Sequence, residues 1–204
     1  MRRVAWIVMV GACGGEPEGT NDGVDDPPPP VAPEFAPYAE DGVTVAQVDI
    51  DRYLGTWFEL GTFPIFWQAS CVATTATYGV RDDGDLSVLN RCLIGDLEGE
   101  PFSFLGRARV VDDTNARLEV SFSPTGEGGA PYWVVELDGA AGDAPYEWAV
   151  VSGPDNLTLW ILAREPKPNL DLDPILARLE ERGFDLERFV WTVQPEEPFD
   201  PLAE

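Results

Sequence analysis

Short strand-like segments separated by turn signals fill the chain from about residue 45 onward, and this pattern constrains the fold more than any other feature. The clearest example is the pair Cys71–Val80 and Leu86–Ile94, which flanks an Asp83-Gly84 turn typical of β-hairpins. The eight predicted strands cover residues 55–62, 71–80, 86–94, 102–111, 116–122, 131–137, 146–152 and 157–164. Eight hairpin-linked strands predict an all-β fold: an eight-stranded up-and-down antiparallel barrel, or calyx.

One C-terminal α-helix is predicted after the eighth strand, packed against the outside of the barrel. Its apolar stripe consists of Leu172, Ile175, Leu176 and Leu179. Asp173 is expected to cap the helix with Pro174 at its first position, and Gly183 is expected to end it. A last short strand is predicted over Phe189–Val193.

Residues at the two ends of the predicted barrel carry a family resemblance. Gly55 and Trp57 open the first strand, and Arg164 closes the eighth strand before a proline. Further matching segments are Ala76-Thr77-Tyr78, Arg81–Gly84, Val88–Asn90 and Phe189–Trp191. In order and spacing the chain resembles the lipocalin family over residues 45–194, and within it the bacterial lipoprotein and apolipoprotein-D-like lipocalins. The resemblance implies that Arg164 lies across the Trp57 indole at the closed end of the barrel, a cation–π contact worth roughly 0.5–2 kcal/mol.

The large aromatic residues on the strands are the candidate ligand-binding residues, because an eight-stranded barrel is just wide enough for side chains or one small ligand. The candidates are Trp57, Tyr78, Phe104, Phe122, Trp133, Trp148 and Trp160. If Arg164 covers Trp57, Trp160 points inward above it; for the others, plain packing explains the residue equally well. The resemblance implies an apolar ligand of the fatty acid or lysophospholipid class. Glu59 shares a face with Trp57, and pairing within the barrel floor is favoured over contact with a polar headgroup.

Cys71 and Cys92 lie at about the same level of one predicted hairpin, counted outward from its turn. Directly opposite residues in a non-hydrogen-bonded pair have Cα atoms about 4.5 Å apart, which permits a disulfide. An exported protein should therefore join them. The alternative is that Cys71 is a free thiol. The protein would then be an enzyme of the same fold that uses this thiol to act on a bound lipid.

The remaining composition excludes several classes of function. The chain has no histidine, which removes Ser-His-Asp and Cys-His catalysis and imidazole metal sites, so no catalytic residue, cofactor or metal is predicted. With 13 basic and 37 acidic residues the net charge is −24, which repels the phosphates of nucleic acids, so no nucleic-acid partner is expected.

The N-terminal part of the chain predicts export and a lipid anchor. Residues 1–13 read as a signal peptide with a short apolar core, and its end resembles the lipoprotein cleavage box, in which Cys13 becomes the lipidated first residue. Residues 14–43 are acidic and rich in Pro and Gly, which predicts a disordered tether before a domain at 44–204. Gly14, in place of an aspartate, points to the outer membrane of a Gram-negative bacterium. The membrane is thus an expected partner through Cys13.

A connection after the first strand is unusually apolar. Pro64–Trp67 carries large hydrophobic side chains where exposed loops are usually polar. This loop supports a third reading of the chain, as an interaction module that docks a partner or the membrane.

Overall fold

A computed structural model describes residues 27–125 and 127–196, and within them nine strands form one antiparallel sheet. The strands are β1 (Gly55–Thr62), β2 (Cys71–Val80), β3 (Leu86–Ile94), β4 (Pro101–Val110), β5 (Arg117–Ser121), β6 (Ala130–Leu137), β7 (Trp148–Ser152), β8 (Leu159–Ala163) and β9 (Val190–Trp191). The α-helices are α1 (Ile50–Tyr53) and α2 (Asp173–Glu181), and short 3-10 helices cover Phe66–Gln68 and Leu186–Arg188. The sheet order is β2-β3-β4-β5-β6-β7-β8-β1-β9, and a β2–β1 pairing closes the barrel. The predicted eight-stranded barrel is confirmed, with β9 as an additional strand outside it.

The C-terminal segment, residues 190–194, completes the seam, which is the place where β1 and β2 separate. The first half of β1 pairs with β2, whereas its second half pairs with β8 and β9. Beyond β9, the Ala73 N–H donates to the Val193 carbonyl at 2.7 Å. The Gln194 amide then donates to the carbonyls of Glu59 and Thr74, at 2.8 and 2.9 Å. The backbone groups left unpaired where the two strands separate are thereby satisfied.

Gly61 permits this close approach of the C-terminal segment. A Cβ atom at this position would lie 2.2 Å from the Phe189 ring and 2.8 Å from the Val190 carbonyl oxygen. Such distances are shorter than any tolerated contact, so β9 could not pair with β1 if residue 61 carried a side chain.

Helix α2 covers the outside of the barrel, as predicted. Ile175 and Leu179 are fully buried in an apolar layer with residues of β7 and β8. Gly183 adopts a φ of +85° and ends the helix. The predicted cap is shifted by one residue, because Leu172 is the N-cap and Asp173 begins the helix, with its N–H bonded to Asp171.

The N-terminal segment packs onto this same side from Val31 onward, which begins earlier than the predicted domain start at 44. Val31 forms a bridge with Leu170, and the Phe35 ring lies edge-on to Trp148 at 5.3 Å. The composition of this stretch predicted a tether, but its two aromatic residues, Phe35 and Tyr38, are half-buried against the barrel and α2. Cys13 and residues 14–26 lie outside the described residues.

A buried carboxylate holds this segment to the helix and the barrel. Glu136 in β6 is fully buried and accepts a hydrogen bond from Arg182 at 2.7 Å, with Arg178 at 3.5 Å. The Tyr38 hydroxyl donates to the same carboxylate. Two cations and a hydroxyl therefore offset the cost of burying one negative charge.

In residues 27–125 and 127–196, no helix has both the length and the apolar character needed to cross a bilayer.

Candidate ligand-binding site

The closed end of the barrel is built around Arg164. Its guanidinium carbon lies 3.7 Å from the centroid of the Trp57 ring, as the resemblance implied. Its three nitrogens donate to the carbonyls of Tyr146, Thr56 and Arg52, each at 2.9 Å. Burial lowers the pKa of Arg164 to about 10, so the side chain stays charged at neutral pH. The cation thus joins β1, α1 and the end of β8 at one point.

Gly55 provides the backbone conformation that this arrangement needs. Its φ of +93° is a conformation that L side chains rarely adopt, and a Cβ here would lie 3.5 Å from the Arg164 Nη1 atom. The glycine therefore allows α1 to turn directly into β1 beneath the guanidinium.

A layer of tyrosines lies above the indole. The Trp57 Nε1 donates to the Tyr53 carbonyl at 2.9 Å, and the two rings are 4.9 Å apart. Tyr78 lies edge-on to Tyr53 at 5.5 Å, and its hydroxyl donates to Tyr132 at 2.8 Å. The Tyr53 and Tyr132 hydroxyls are 2.9 Å apart. Burial raises the pKa of all three phenols, so they stay neutral.

A cavity of about 380 Å³ opens above this layer. Ligand pockets typically measure roughly 300–1,000 Å³. The aromatic residues that line it are Tyr78, Phe104, Phe122, Tyr132 and Trp160, and the aliphatic ones include Ile65, Val88, Val120 and Leu162. Phe104 and Phe122 meet edge-to-face at 4.7 Å. The wall is therefore mainly aromatic and aliphatic carbon.

Four of the seven aromatic candidates line this cavity and three do not. Trp57 lies below it, under the tyrosines, with no exposed surface. Trp148 is buried in the layer between the barrel and α2. Trp133 packs against that layer, with Arg117 at 5.0 Å from its ring. Those three positions are thus packing residues in this structure, and Trp160 faces inward as expected.

A polar cluster interrupts the apolar wall where the C-terminal segment crosses β1. Glu59 is 3% exposed, and its carboxylate accepts hydrogen bonds from Gln68 and Thr192. The Gln68 oxygen also lies 3.5 Å from the Trp160 Nε1. Burial raises the pKa of Glu59, while the two hydrogen bonds act in the opposite direction. Glu59 thus lies on the cavity wall, and its partners are uncharged.

The two predicted cysteines form a disulfide on the same wall. The Sγ atoms of Cys71 and Cys92 are 2.07 Å apart and the Cα atoms 5.4 Å apart. Both residues border the cavity. The prediction is confirmed, and in this structure Cys71 is not a free thiol.

Comparison with known proteins places this architecture in a family. Residues 48–194 match the family model of the lipocalin-like domain.

The chain belongs to the lipocalin family.

Relatives at the sequence level include outer membrane lipoprotein Blc of Escherichia coli strain K12, 39% identical over 157 residues that cover 76% of this chain and 84% of the relative. Outer membrane lipoprotein Blc of Vibrio cholerae is 36% identical over 152 residues, covering 74% and 85%. The solved structure of insecticyanin from the tobacco hornworm Manduca sexta is 19% identical and superposes with a TM-score of 0.56, covering 82% of this chain and 88% of that one. This last likeness concerns the fold alone.

Several wall residues of this lipocalin were not predicted from its sequence. Tyr132 lines the cavity, whereas the neighbouring Trp133 faces away. Alternation along a strand places adjacent residues on opposite faces but does not say which one faces inward. Asn90 also lines the cavity, and its Oδ1 is buried with no hydrogen-bond partner. The Oγ1 of Thr75, a residue 1% exposed, is likewise unpartnered. Unpaired polar atoms of this kind suit a ligand that carries a polar group.

The apolar loop after β1 lies at the open end of the calyx. Ile65 lines the cavity and Phe66 is 94% exposed at its rim. Gln68, from the same loop, contacts Glu59 and Trp160. The loop therefore contributes both to the wall of the cavity and to the outer surface around it.

Taken together, these groups suit reversible burial of an apolar molecule. Each Å² of apolar surface removed from water contributes about 25 cal/mol to binding. Lipocalins bind small hydrophobic ligands, and this cavity offers the matching surface.

Proposed function

We propose that this lipocalin binds and carries, or stores, a fatty acid or a lysophospholipid-like ligand in its barrel cavity. The observation that carries the proposal is the cavity of about 380 Å³, walled by aromatic and aliphatic side chains above a sealed floor. Polar groups on the same wall, including Glu59, Gln68 and Asn90, suit one polar end of such a molecule. Its role is binding rather than catalysis.

The proposed place of action is the cell envelope, and more specifically the outer membrane. Two supports are the Gly-Ala-Cys13 sequence at the end of the apolar run and the relatives named outer membrane lipoprotein. Cys13→Ser should move the protein from the membrane to the soluble fraction. Unchanged fractionation would contradict the anchor.

Native mass spectrometry of the protein from its source tests the binding proposal, since a retained lipid adds a defined mass. A second test titrates a fluorescent fatty acid into wild type and Ala76→Phe, which fills the cavity where Ala76 lines it. We expect binding to fall at least tenfold. Leu105→Phe is the matched control, because Leu105 is 63% exposed on the outside of β4. Equal binding by wild type and Ala76→Phe would overturn the proposal.

The exposed rim supports a second role, as a docking surface for the membrane that supplies the ligand. Phe66 exposes an aromatic ring beside the entrance. Phe66→Ser should weaken association with lipid vesicles while leaving fatty-acid binding in solution unchanged. The other alternative, an enzyme that acts through a thiol, needs a free Cys71 and is not favoured by the Cys71–Cys92 bond.

A further inference from the structure

Three tyrosine hydroxyls meet at the inner end of the cavity. Tyr132 lies in the middle, with its Oη 2.8 Å from that of Tyr78 and 2.9 Å from that of Tyr53. Tyr78 and Tyr132 border the cavity, whereas Tyr53 lies beneath them against Trp57. The floor that Arg164 and Trp57 close is thus not apolar on the side facing a ligand.

The cluster contains one more hydroxyl proton than it has hydrogen bonds. Three hydroxyls bring three protons, but the cluster contains two hydroxyl–hydroxyl contacts, and one of these is donated by Tyr78 to Tyr132. In the second contact either Tyr53 or Tyr132 is the donor. Whichever donates, one proton has no acceptor among the described residues. Buried donors without a partner are rare and costly in folded proteins.

A bound molecule can supply the missing acceptor only through Tyr132. When Tyr53 donates to Tyr132, the Tyr132 proton is the unused one, and this residue borders the cavity. The hydroxyl contacts of the cluster can therefore reorient to present a donor to a ligand. We infer that the inner end of the cavity binds an uncharged acceptor oxygen, a hydroxyl or carbonyl, carried at the far end of a lipid chain.

The surroundings of the three hydroxyls select against a charged group. The cation below them, Arg164, is separated by the Trp57 ring and directs its N–H groups to backbone carbonyls. The nearby wall residues Val88 and Leu162 are apolar. A carboxylate at this depth would lose its hydration without gaining a cation.

The inference deepens the proposed lipid-binding function and rests on it. Its ligand class is an oxygenated acyl chain that enters with its neutral oxygen first. The experiment compares dodecanoic acid with 12-hydroxydodecanoic acid as competitors of a fluorescent fatty acid. The quantity of interest is the ratio of the two Kd values, because it cancels changes that affect both ligands equally.

Tyr132→Phe alone would free the Tyr78 proton for the ligand, so the test variant combines Tyr78→Phe with Tyr132→Phe and removes both hydroxyls that border the cavity. It should weaken binding of the hydroxy acid about three- to tenfold relative to dodecanoic acid. Tyr53→Phe is the matched control, because it removes one hydroxyl from the same cluster but none from the cavity wall. The ratio of the two Kd values should stay within about twofold of wild type or shift in favour of the hydroxy acid. A ratio that the double variant leaves unchanged would overturn the inference while leaving the lipid-binding proposal intact. If neither acid displaces the probe from wild type, both fail.

A second measurement needs no variant. A crystal structure of the wild-type protein with 12-hydroxydodecanoic acid should place the ligand hydroxyl within about 3 Å of the Tyr132 Oη. A ligand bound with its carboxylate on the tyrosines, or with its hydroxyl at the entrance, would overturn the inference.

Discussion

Removing the Arg164 side chain should cost about 3–5 kcal/mol of unfolding free energy. The stack on Trp57 accounts for roughly 0.5–2 kcal/mol. The three charge-assisted hydrogen bonds account for the rest, at about 1.5–3 kcal/mol for one that is fully buried. The expected loss is smaller than these terms added at full value, because the Arg164 side chain is only partly buried and water can reach some of the freed carbonyls. One of them, that of Arg52, also keeps the Tyr146 N–H as a donor at 3.2 Å.

The assay is urea denaturation of wild type, Arg164→Ala and Arg164→Lys. Lysine should restore only part of the loss, because an ammonium group cannot lie flat on the indole or reach three carbonyls in one plane. Arg109→Ala provides a control for loss of a positive charge. Its partner is Glu119 at 3.3 Å on an exposed surface, and such pairs contribute about 0–1 kcal/mol.

Fatty-acid affinity should fall less than stability in Arg164→Ala, because the tyrosine layer separates Arg164 from the cavity. An Arg164→Ala protein within about 1 kcal/mol of wild type would refute the stacking argument. An affinity loss as large as the stability loss would show instead that the floor shapes the cavity directly.

Three further predictions concern the seam, the disulfide and the turn into β1. Since burial raises the pKa of Glu59, the contribution of its protonated form to stability is fully present below the ordinary pKa of 4.5 and is lost as pH rises through the raised value. The unfolding free energy of wild type minus that of Glu59→Gln should therefore fall as pH rises. A difference that does not change with pH would contradict this. Denatured mature protein should show no titratable Cys71 or Cys92 thiol, and replacing both with serine should cost about 3 kcal/mol in denaturant titrations. Gly55→Ala should cost about 1–3 kcal/mol by the same method, because of the positive φ, and a neutral effect would refute the conformational requirement.

The sequence predicts the barrel well because the relevant signals are local. Hairpin turns and alternation set the strand ends, and the predicted bounds of β1, β2 and β3 agree with the structure. The disulfide follows from the same counting, since both cysteines lie on one hairpin. The family motif adds the contact between Trp57 and Arg164, which are far apart in the sequence and could not be paired by periodicity.

The wall of the cavity is harder to predict, because it depends on which face of each strand points inward. In β6 the pairing with β7 shifts register between Val134 and Glu136, so alternation counted from one end of the strand fails at the other. The inward position accordingly belongs to Tyr132 rather than Trp133. The Glu59 cluster depends on Gln68 and Thr192, two residues brought together only when the C-terminal segment closes the seam.

The layering of the closed end separates two tasks that a barrel floor has to perform. Arg164 and Trp57 join the strands, and their hydrogen bonds are directed to the backbone and away from the cavity. The hydroxyls of Tyr78 and Tyr132 above them border the cavity and are neutral, so they can discriminate between polar groups without a buried charge. Substitutions in the lower layer should therefore change stability, whereas joint substitution of Tyr78 and Tyr132 should change ligand preference. A floor made of a single layer could not separate these effects, because every group in it would contact both the strands and the ligand.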